Sequence, residues 1–158
     1  MRTGIGFDAH RLVADRTLVL GGVTIPNPLG LLGHSDGDVL LHAVMDALLG
    51  AAGLGDMGKY FPSSDTRFQG ASSIQLLSMV RDLLISQQWR VINLDATIVA
   101  EGPILSPYIC YMQQRISDSL SLEFSRVNVK AKTTDGMGFT GRGEGMIAYA
   151  VVSLEKAE

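Results

Sequence analysis

Asp8 and His10 stand two residues apart, and His42 follows on an otherwise apolar helical stretch. One carboxylate and two imidazoles form a three-ligand set that leaves zinc a fourth, open position, and an open position means chemistry rather than bracing. Each residue also has a plainer reading. Asp8 and His10 fit a surface strand, and His42 fits a hydrogen-bonded core histidine. A second group points to phosphate. His34 and Ser35 precede a helix N-terminus, where free N–H groups and the dipole favour an anion; a simple cap is the alternative. Lys130, Lys132, Thr133, Thr134 and Asp135 leave a strand and enter a turn. Two lysines and two hydroxyls suit a polyphosphate, and Asp135 suits Mg²⁺ held against phosphate oxygens; an ordinary polar strand end is the alternative. Residues 136–145 hold five glycines but match neither a P-loop nor a dinucleotide fingerprint. A hairpin connection with Arg142 paired to Glu144 is the simplest reading of that stretch.

These residues need elements to hold them. Residues 1–10 alternate, with Ile5, Phe7 and Ala9 on one side and Gly4, Gly6, Asp8 and His10 on the other, so the acid and the imidazole share a strand face. The two glycines are expected to leave room there for a ligand. Gly21-Gly22 between apolar runs signals a hairpin over 17–25, closed by Pro26 and Pro28, with Gly30 to Gly33 as a flexible approach to His34. Ser35, Asp36 and Asp38 are N-cap candidates for a helix ending near Gly53. That helix is apolar almost all round except for Asp38, His42 and Asp46, spaced i, i+4, i+8 on one stripe. A polar stripe on a buried helix is costly without partners, and Asp38 or Asp46 is expected to hold the second nitrogen of His42. Residues 50–70 read as a long functional loop. The apolar spacing predicts helices over 72–88 and 107–120 and strands over 91–100, 126–133 and 146–154. The last strand is apolar on both faces and expected to be covered on both sides. The whole is a single α+β, α/β-like domain over 1–158, a mixed sheet covered by about three helices.

The composition narrows the partners. The chain has 158 residues, a formal net charge of −3 and one cysteine. No global attraction to nucleic acid or anionic membrane is expected, and no apolar run approaches the ~20 residues of a membrane span. Met1 to Asp8 reads as a strand rather than a secretory leader. One cysteine excludes an internal disulfide and fits a reducing compartment, so the expected location is cytoplasmic. Cys110 reads as packing within a helix.

GFDAH (6–10), GHSDGDVLLHAVMDALLGAAGLGDMGKYFPSSD (33–65) and VNVKAKTTDGMGFTGRGEGM (127–146) together resemble the 2-C-methyl-D-erythritol 2,4-cyclodiphosphate synthases of the non-mevalonate isoprenoid pathway. The resemblance runs through nearly the whole chain, and the middle motif is long and specific. It implies a phosphorus–oxygen lyase that cyclises 4-diphosphocytidyl-2-C-methyl-D-erythritol 2-phosphate with loss of CMP. It also implies a homotrimer with each site between neighbouring subunits. The family's zinc ligands, one ion per subunit, fall on Asp8, His10 and His42. Its phosphate and transition-state contacts fall on His34, Ser35 and Thr133, with His34 and Thr133 in the catalytic roles. The methylerythritol contacts fall on Asp56, Gly58, Phe61, Ser63 and Asp65. The cytidine pocket falls on Ala100, Pro103, Leu105, Ser106, Ala131, Lys132 and Thr133, and a second ion, Mg²⁺ or Mn²⁺, on Asp135 with the substrate diphosphate. Phe139 and Arg142 fall near the threefold axis, as ligand contacts beside a central cavity. Lys132 and Asp135 stand where many members carry Thr and Glu. A zinc phosphohydrolase and a trimeric small-ligand binding protein are the alternatives, and the products distinguish them.

Overall fold

The computed structural model describes residues 1–157. The alternating opening segment forms the long strand β1 (Arg2–Ala14). A hairpin follows, β2 (Leu18–Leu20) and β3 (Val23–Ile25), turning on Gly21 and Gly22. Their φ values of 59° and 74° are what a two-residue hairpin turn matched to strand twist requires. The segment expected to be a flexible approach to His34 instead forms β4 (Leu29–Leu31), paired antiparallel to the end of β1. Gly30 is tight rather than mobile there, because a Cβ on it would lie 2.3 Å from the Arg16 carbonyl oxygen.

Helix α1 (Val39–Ala52) starts at the Asp38 cap and ends at Gly53 in the left-handed conformation. The loop after it carries only the single-turn helix α2 (Met57–Tyr60) and a 3-10 turn at Thr66–Phe68. Then come α3 (Ser73–Ser86), β5 (Trp89–Val99), α4 (Ile109–Leu120) and β6 (Val127–Lys132). The single-turn helix α5 (Gly138–Gly141) leads into β7 (Gly145–Lys156). The five-stranded sheet runs β4-β1-β7-β5-β6, with β5 and β6 parallel and the other pairs antiparallel. Since β6 and β7 flank β5 on opposite sides, the glycine-rich stretch is a crossover containing a helical turn, not the expected hairpin connection.

Helix α1 lies on β1 and β7, α3 on β5, and α4 on β6, so all three long helices cover one sheet face. The stripe reading of α1 holds in packing terms, since Val39 to Ala52 contributes eleven buried residues to the core. The other face is open. Ile5 is 70% exposed, Phe7 50%, and Tyr149 and Val151 42% each. The expectation that both faces of β7 are covered is therefore corrected for the isolated chain: Met146, Ala148, Ala150, Val152 and Leu154 are buried, while Tyr149 and Val151 are exposed. Cys110 is also corrected, being exposed on α4 rather than packed.

Gly4 and Gly6 leave room for a helix, not for a ligand. A Cβ on Gly4 would sit 2.2 Å from the Ala47 carbonyl oxygen, and one on Gly6 would sit 1.8 Å from that of Ala43. The two glycines let α1 press onto the backbone of β1, which brings His42 down to Asp8. Gly6→Ala is expected to destabilise the metal-free protein by about 3 kcal/mol or more through overpacking. Gly50→Ala, where an added Cβ meets nothing within 4 Å, is expected to stabilise it by about 0.5–1 kcal/mol. Urea denaturation of the two variants checks both signs.

Candidate functional site

Strand alternation turns Asp8 and His10 toward α1, and the helix turn at His42 meets them there. Asp8 Oδ2 lies 2.7 Å from His10 Nε2 and 2.9 Å from His42 Nδ1, and the two imidazole nitrogens are 3.0 Å apart. This is the one group of His, Cys, Asp and Glu side chains among the described residues that converges as a metal site.

The donor chemistry fits a cation. His10 Nδ1 donates to the Leu32 carbonyl oxygen, because a carbonyl only accepts. A neutral His10 then presents the lone pair of Nε2 to a carboxylate oxygen, acceptor facing acceptor. A proton or a metal ion resolves that mismatch. Burial disfavours charge on both partners, yet their hydrogen bond and mutual attraction outweigh it. His10 is raised above its ordinary value, and Asp8 is held well below the usual carboxylate range by His10 and His42. Tetrahedral zinc at about 2.0–2.1 Å from each donor sets the donors about 3.3 Å apart, a small opening of the observed cluster.

The second nitrogen of His42 does not go to Asp38 or Asp46, as the stripe suggested. His42 Nε2 lies 3.0 Å from Ser35 Oγ and 3.1 Å from Ser73 Oγ. Asp46 instead accepts from the Met57 N–H at 2.8 Å and anchors the loop after α1. Asp38, fully buried, accepts from the N–H groups of Gly21, Gly22 and Leu41 at 3.0, 2.7 and 3.0 Å. It ties the β2–β3 turn to the start of α1. Burial pushes the Asp38 carboxyl up to about 6 against the pull of those N–H groups. An acid raised in the folded state contributes most stability below its unfolded value and loses it as pH rises through the folded one. Moving from 3.8 to about 6 corresponds to about 3 kcal/mol. The cost of Asp38→Asn in metal-free protein is therefore expected to be largest near pH 4 and to shrink by up to that amount by pH 7, as read from paired urea melts.

A cavity of about 380 Å³ opens beside the triad, lined among others by His34, Ser35, Asp46, Gly58, Phe61 and Ser63. His34 is steadied by donating from Nε2 to the Asp65 carbonyl at 3.1 Å. Ser35 is buried, and its carbonyl accepts from Arg16 at 2.9 Å. Asp56 and Asp65 lie outside this lining: Asp56 caps α2 through the Lys59 N–H, and Asp65 pairs with Arg67 at 2.6 Å. Ser73 was not singled out from the sequence. Its only signal there was a place beside Ser72 at a helix start, where serines are common caps.

The remaining predicted residues gather elsewhere. Ala100, Pro103, Leu105 and Ser106 follow β5, and Ala131, Lys132, Thr133 and Asp135 end or follow β6. The Ala100 N–H bonds the Lys132 carbonyl at 2.9 Å, so the two segments stand side by side. Lys130 pairs with Asp95, which also accepts from Asn128 at 2.9 Å. Thr133 Oγ1 lies 3.4 Å from Asp135 Oδ1 at an exposed turn. Asp8, Ala148, Ile98 and Ala131 occupy one row across the sheet. At ~4.8 Å per strand, the triad and the β6 end are about 14 Å apart in one chain. Phe139 packs by Gly145 and lines a smaller cavity with Ala9, His10 and Arg11, while Arg142 pairs with Glu144 at 2.7 Å.

The sequence profile of the YgbB family matches residues 1–155. The 2-C-methyl-D-erythritol 2,4-cyclodiphosphate synthase of Desulforamulus reducens is 57% identical over 156 residues, covering 99% of each chain. A solved structure of a synthase of the same name, in a form with bound CDP, superposes with a TM-score of 0.89 at 36% identity, over 98% of this chain and 100% of that one. The bifunctional IspDF of Campylobacter jejuni superposes with a TM-score of 0.96 at 43% identity. This chain covers 42% of that longer protein, which in turn covers 99% of this one.

Proposed function

The chain belongs to the YgbB family, and on that premise we infer that it converts 4-diphosphocytidyl-2-C-methyl-D-erythritol 2-phosphate to 2-C-methyl-D-erythritol 2,4-cyclodiphosphate and CMP. It is a lyase of the non-mevalonate isoprenoid pathway. The observation that carries this reading is the convergence of Asp8, His10 and His42 at the edge of a cavity shared with His34 and Ser35.

A 2-phosphate oxygen of the substrate attacks its own β-phosphorus. The bond from that phosphorus to the bridging oxygen breaks, and CMP leaves with the electron pair. Nucleophile and leaving group need little proton transfer near neutral pH, so the reaction requires no dedicated acid–base pair. Holding the chain folded for intramolecular attack is worth roughly 7–11 kcal/mol over a bimolecular reference. Gly58, Phe61 and Ser63 supply the walls for the methylerythritol unit, with Asp56 and Asp65 shaping the loop. His34 lines the same cavity, placed to help hold the reacting groups in line. Asp8, His10 and His42 would hold zinc, which when bound would supply a Lewis acid for a phosphate oxygen. Asp135, beside Thr133, suits a second divalent ion against the diphosphate. The cytidine unit falls to Ala100, Pro103, Leu105, Ser106, Ala131 and Lys132.

A homotrimer fits these positions. The open apolar face around Ile5, Phe7, Tyr149 and Val151 needs a cover, and a second copy supplies one. The gap of about 14 Å between the triad and the β6 end favours a site built from the triad of one subunit and the nucleotide end of its neighbour. No helix among the described residues is long and apolar enough to cross a membrane. The single cysteine suits the cytoplasm.

³¹P NMR of the protein with the cytidyl substrate, zinc and magnesium tests the reaction. Two coupled cyclic-diphosphate resonances with CMP are expected. Linear phosphates would make water the nucleophile, and an unchanged spectrum would leave only a binding role.

A further inference from the structure

Ser73 is fully buried, yet its hydroxyl meets three polar groups: Asp36 Oδ1 at 2.5 Å, His42 Nε2 at 3.1 Å and Ser35 Oγ at 3.4 Å. A hydroxyl has one proton. The Asp36 carboxylate only accepts, and its contact is the shortest, so the proton points to Asp36. Toward His42 Nε2, Ser73 then has only a lone pair to offer; with the Ser35 hydroxyl turned to Ser73 Oγ at 3.4 Å, Ser35 Oγ at 3.0 Å is a second acceptor and Nε2 carries the N–H. That leaves Nδ1 as the lone-pair nitrogen, and Nδ1 is the atom that faces Asp8 and His10. Asp36 is itself pinned in place. Its Oδ2 accepts from the Ser73 N–H at 2.9 Å, its Oδ1 from the Asp38 N–H at 3.2 Å, and its own N–H bonds the Ala71 carbonyl at 3.0 Å. It performs at the start of α3 the capping that the Ser72 side chain does not.

We propose that Asp36 and Ser73 are positioning residues for the metal: an ordered chain from carboxylate to hydroxyl to imidazole selects the His42 tautomer that ligates through Nδ1. The inference rests on the metal reading of the Asp8, His10 and His42 cluster. Neither residue touches the ion or the substrate. Both act by fixing the direction of two hydrogen bonds, and partners of this kind carry 10- to 100-fold of metal affinity in other sites.

Asp36→Asn separates this role from simple packing, since it keeps shape and removes one acceptor. The Ser73 N–H at 2.9 Å is the shorter of the two backbone donors, so the amide oxygen is expected to face it. The amide NH₂ then donates to Ser73 Oγ. The Ser73 proton swings to His42 Nε2, and the tautomer with Nδ1–H is favoured, which is the wrong one for ligation. Zinc affinity of the wild type, Asp36→Asn and Ser73→Ala is measured by chelator competition. The d–d spectrum of each cobalt-loaded protein reports ligand geometry, and circular dichroism of the metal-free forms reports folding. A 10- to 100-fold loss of zinc affinity in folded Asp36→Asn, with a changed cobalt spectrum, is expected; Ser73→Ala is expected to lose affinity as well. Wild-type affinity and an unaltered cobalt spectrum in Asp36→Asn overturn the inference while leaving the metal reading intact. A wild type that takes up neither zinc nor cobalt overturns the metal reading, and this inference with it.

Discussion

His42→Ala is expected to abolish stoichiometric zinc binding and lower kcat/KM by about three orders of magnitude or more, while the folded assembly persists. Lewis-acid stabilisation of a phosphoryl oxygen is worth several kcal/mol, and each 1.4 kcal/mol is about tenfold in rate. Fold retention follows from the packing of α1, whose eleven buried residues do not include His42. The side chain is joined to the polar groups of Asp8, His10, Ser35 and Ser73 rather than to the apolar core. Removing it leaves Asp8 still paired to His10, so no orphaned charge is buried. Metal content, turnover and sedimentation of the variant check the three parts separately. Loss of the assembly together with the metal would assign the ion a structural role and remove it from the reaction.

What was legible in the chain follows the range over which each signal acts. The alternation that puts Asp8 and His10 on one face, the Gly21-Gly22 turn and the apolar ring around His42 are all properties of neighbouring residues, and local periodicity reports them directly. The partners of the polar stripe on α1 were not legible. Asp38 and Asp46 answer to N–H groups of Gly21, Gly22 and Met57, contacts that only the assembled fold creates. A carboxylate one helical turn from a histidine reads the same whether it serves the imidazole or a distant backbone. Gly4 and Gly6 illustrate a second ambiguity. A missing Cβ signals close approach of something, and here that is the backbone of α1 rather than a ligand. The open face of β7 is a third: an apolar strand shows that a cover is needed, but not that it lies outside the chain. The stretches similar to known synthases suggested the site residues without deriving them, and the geometry brings the Asp8, His10 and His42 part of that set together.

Mixing two inactive variants is expected to restore activity if the site is built from neighbouring subunits. His42→Ala removes the metal half, and the double variant Thr133→Ala/Asp135→Ala removes the diphosphate half at the end of β6. Each homotrimer is expected to be inactive, because every site in it lacks one half. In trimers reassembled from an equal mixture, a site is intact when its metal half comes from the second variant and its nucleotide half from the first. Random cyclic assembly places about one quarter of sites in that state. Recovery therefore plateaus near one quarter of wild-type turnover and rises only when the chains exchange, so mixing without dissociation serves as the blank. If both halves instead met within one chain, no mixture would hold an intact site and recovery would stay at zero. The sheet register is what makes this outcome decisive. Asp8 and Ala131 lie on the same row with Ala148 and Ile98 between them, and α1 packs over β1 and β7 on the helical face. A diphosphate linking the two ends within one chain would have to pass over that helix. In a trimer, a neighbour's β6 end is expected to supply the nucleotide half instead.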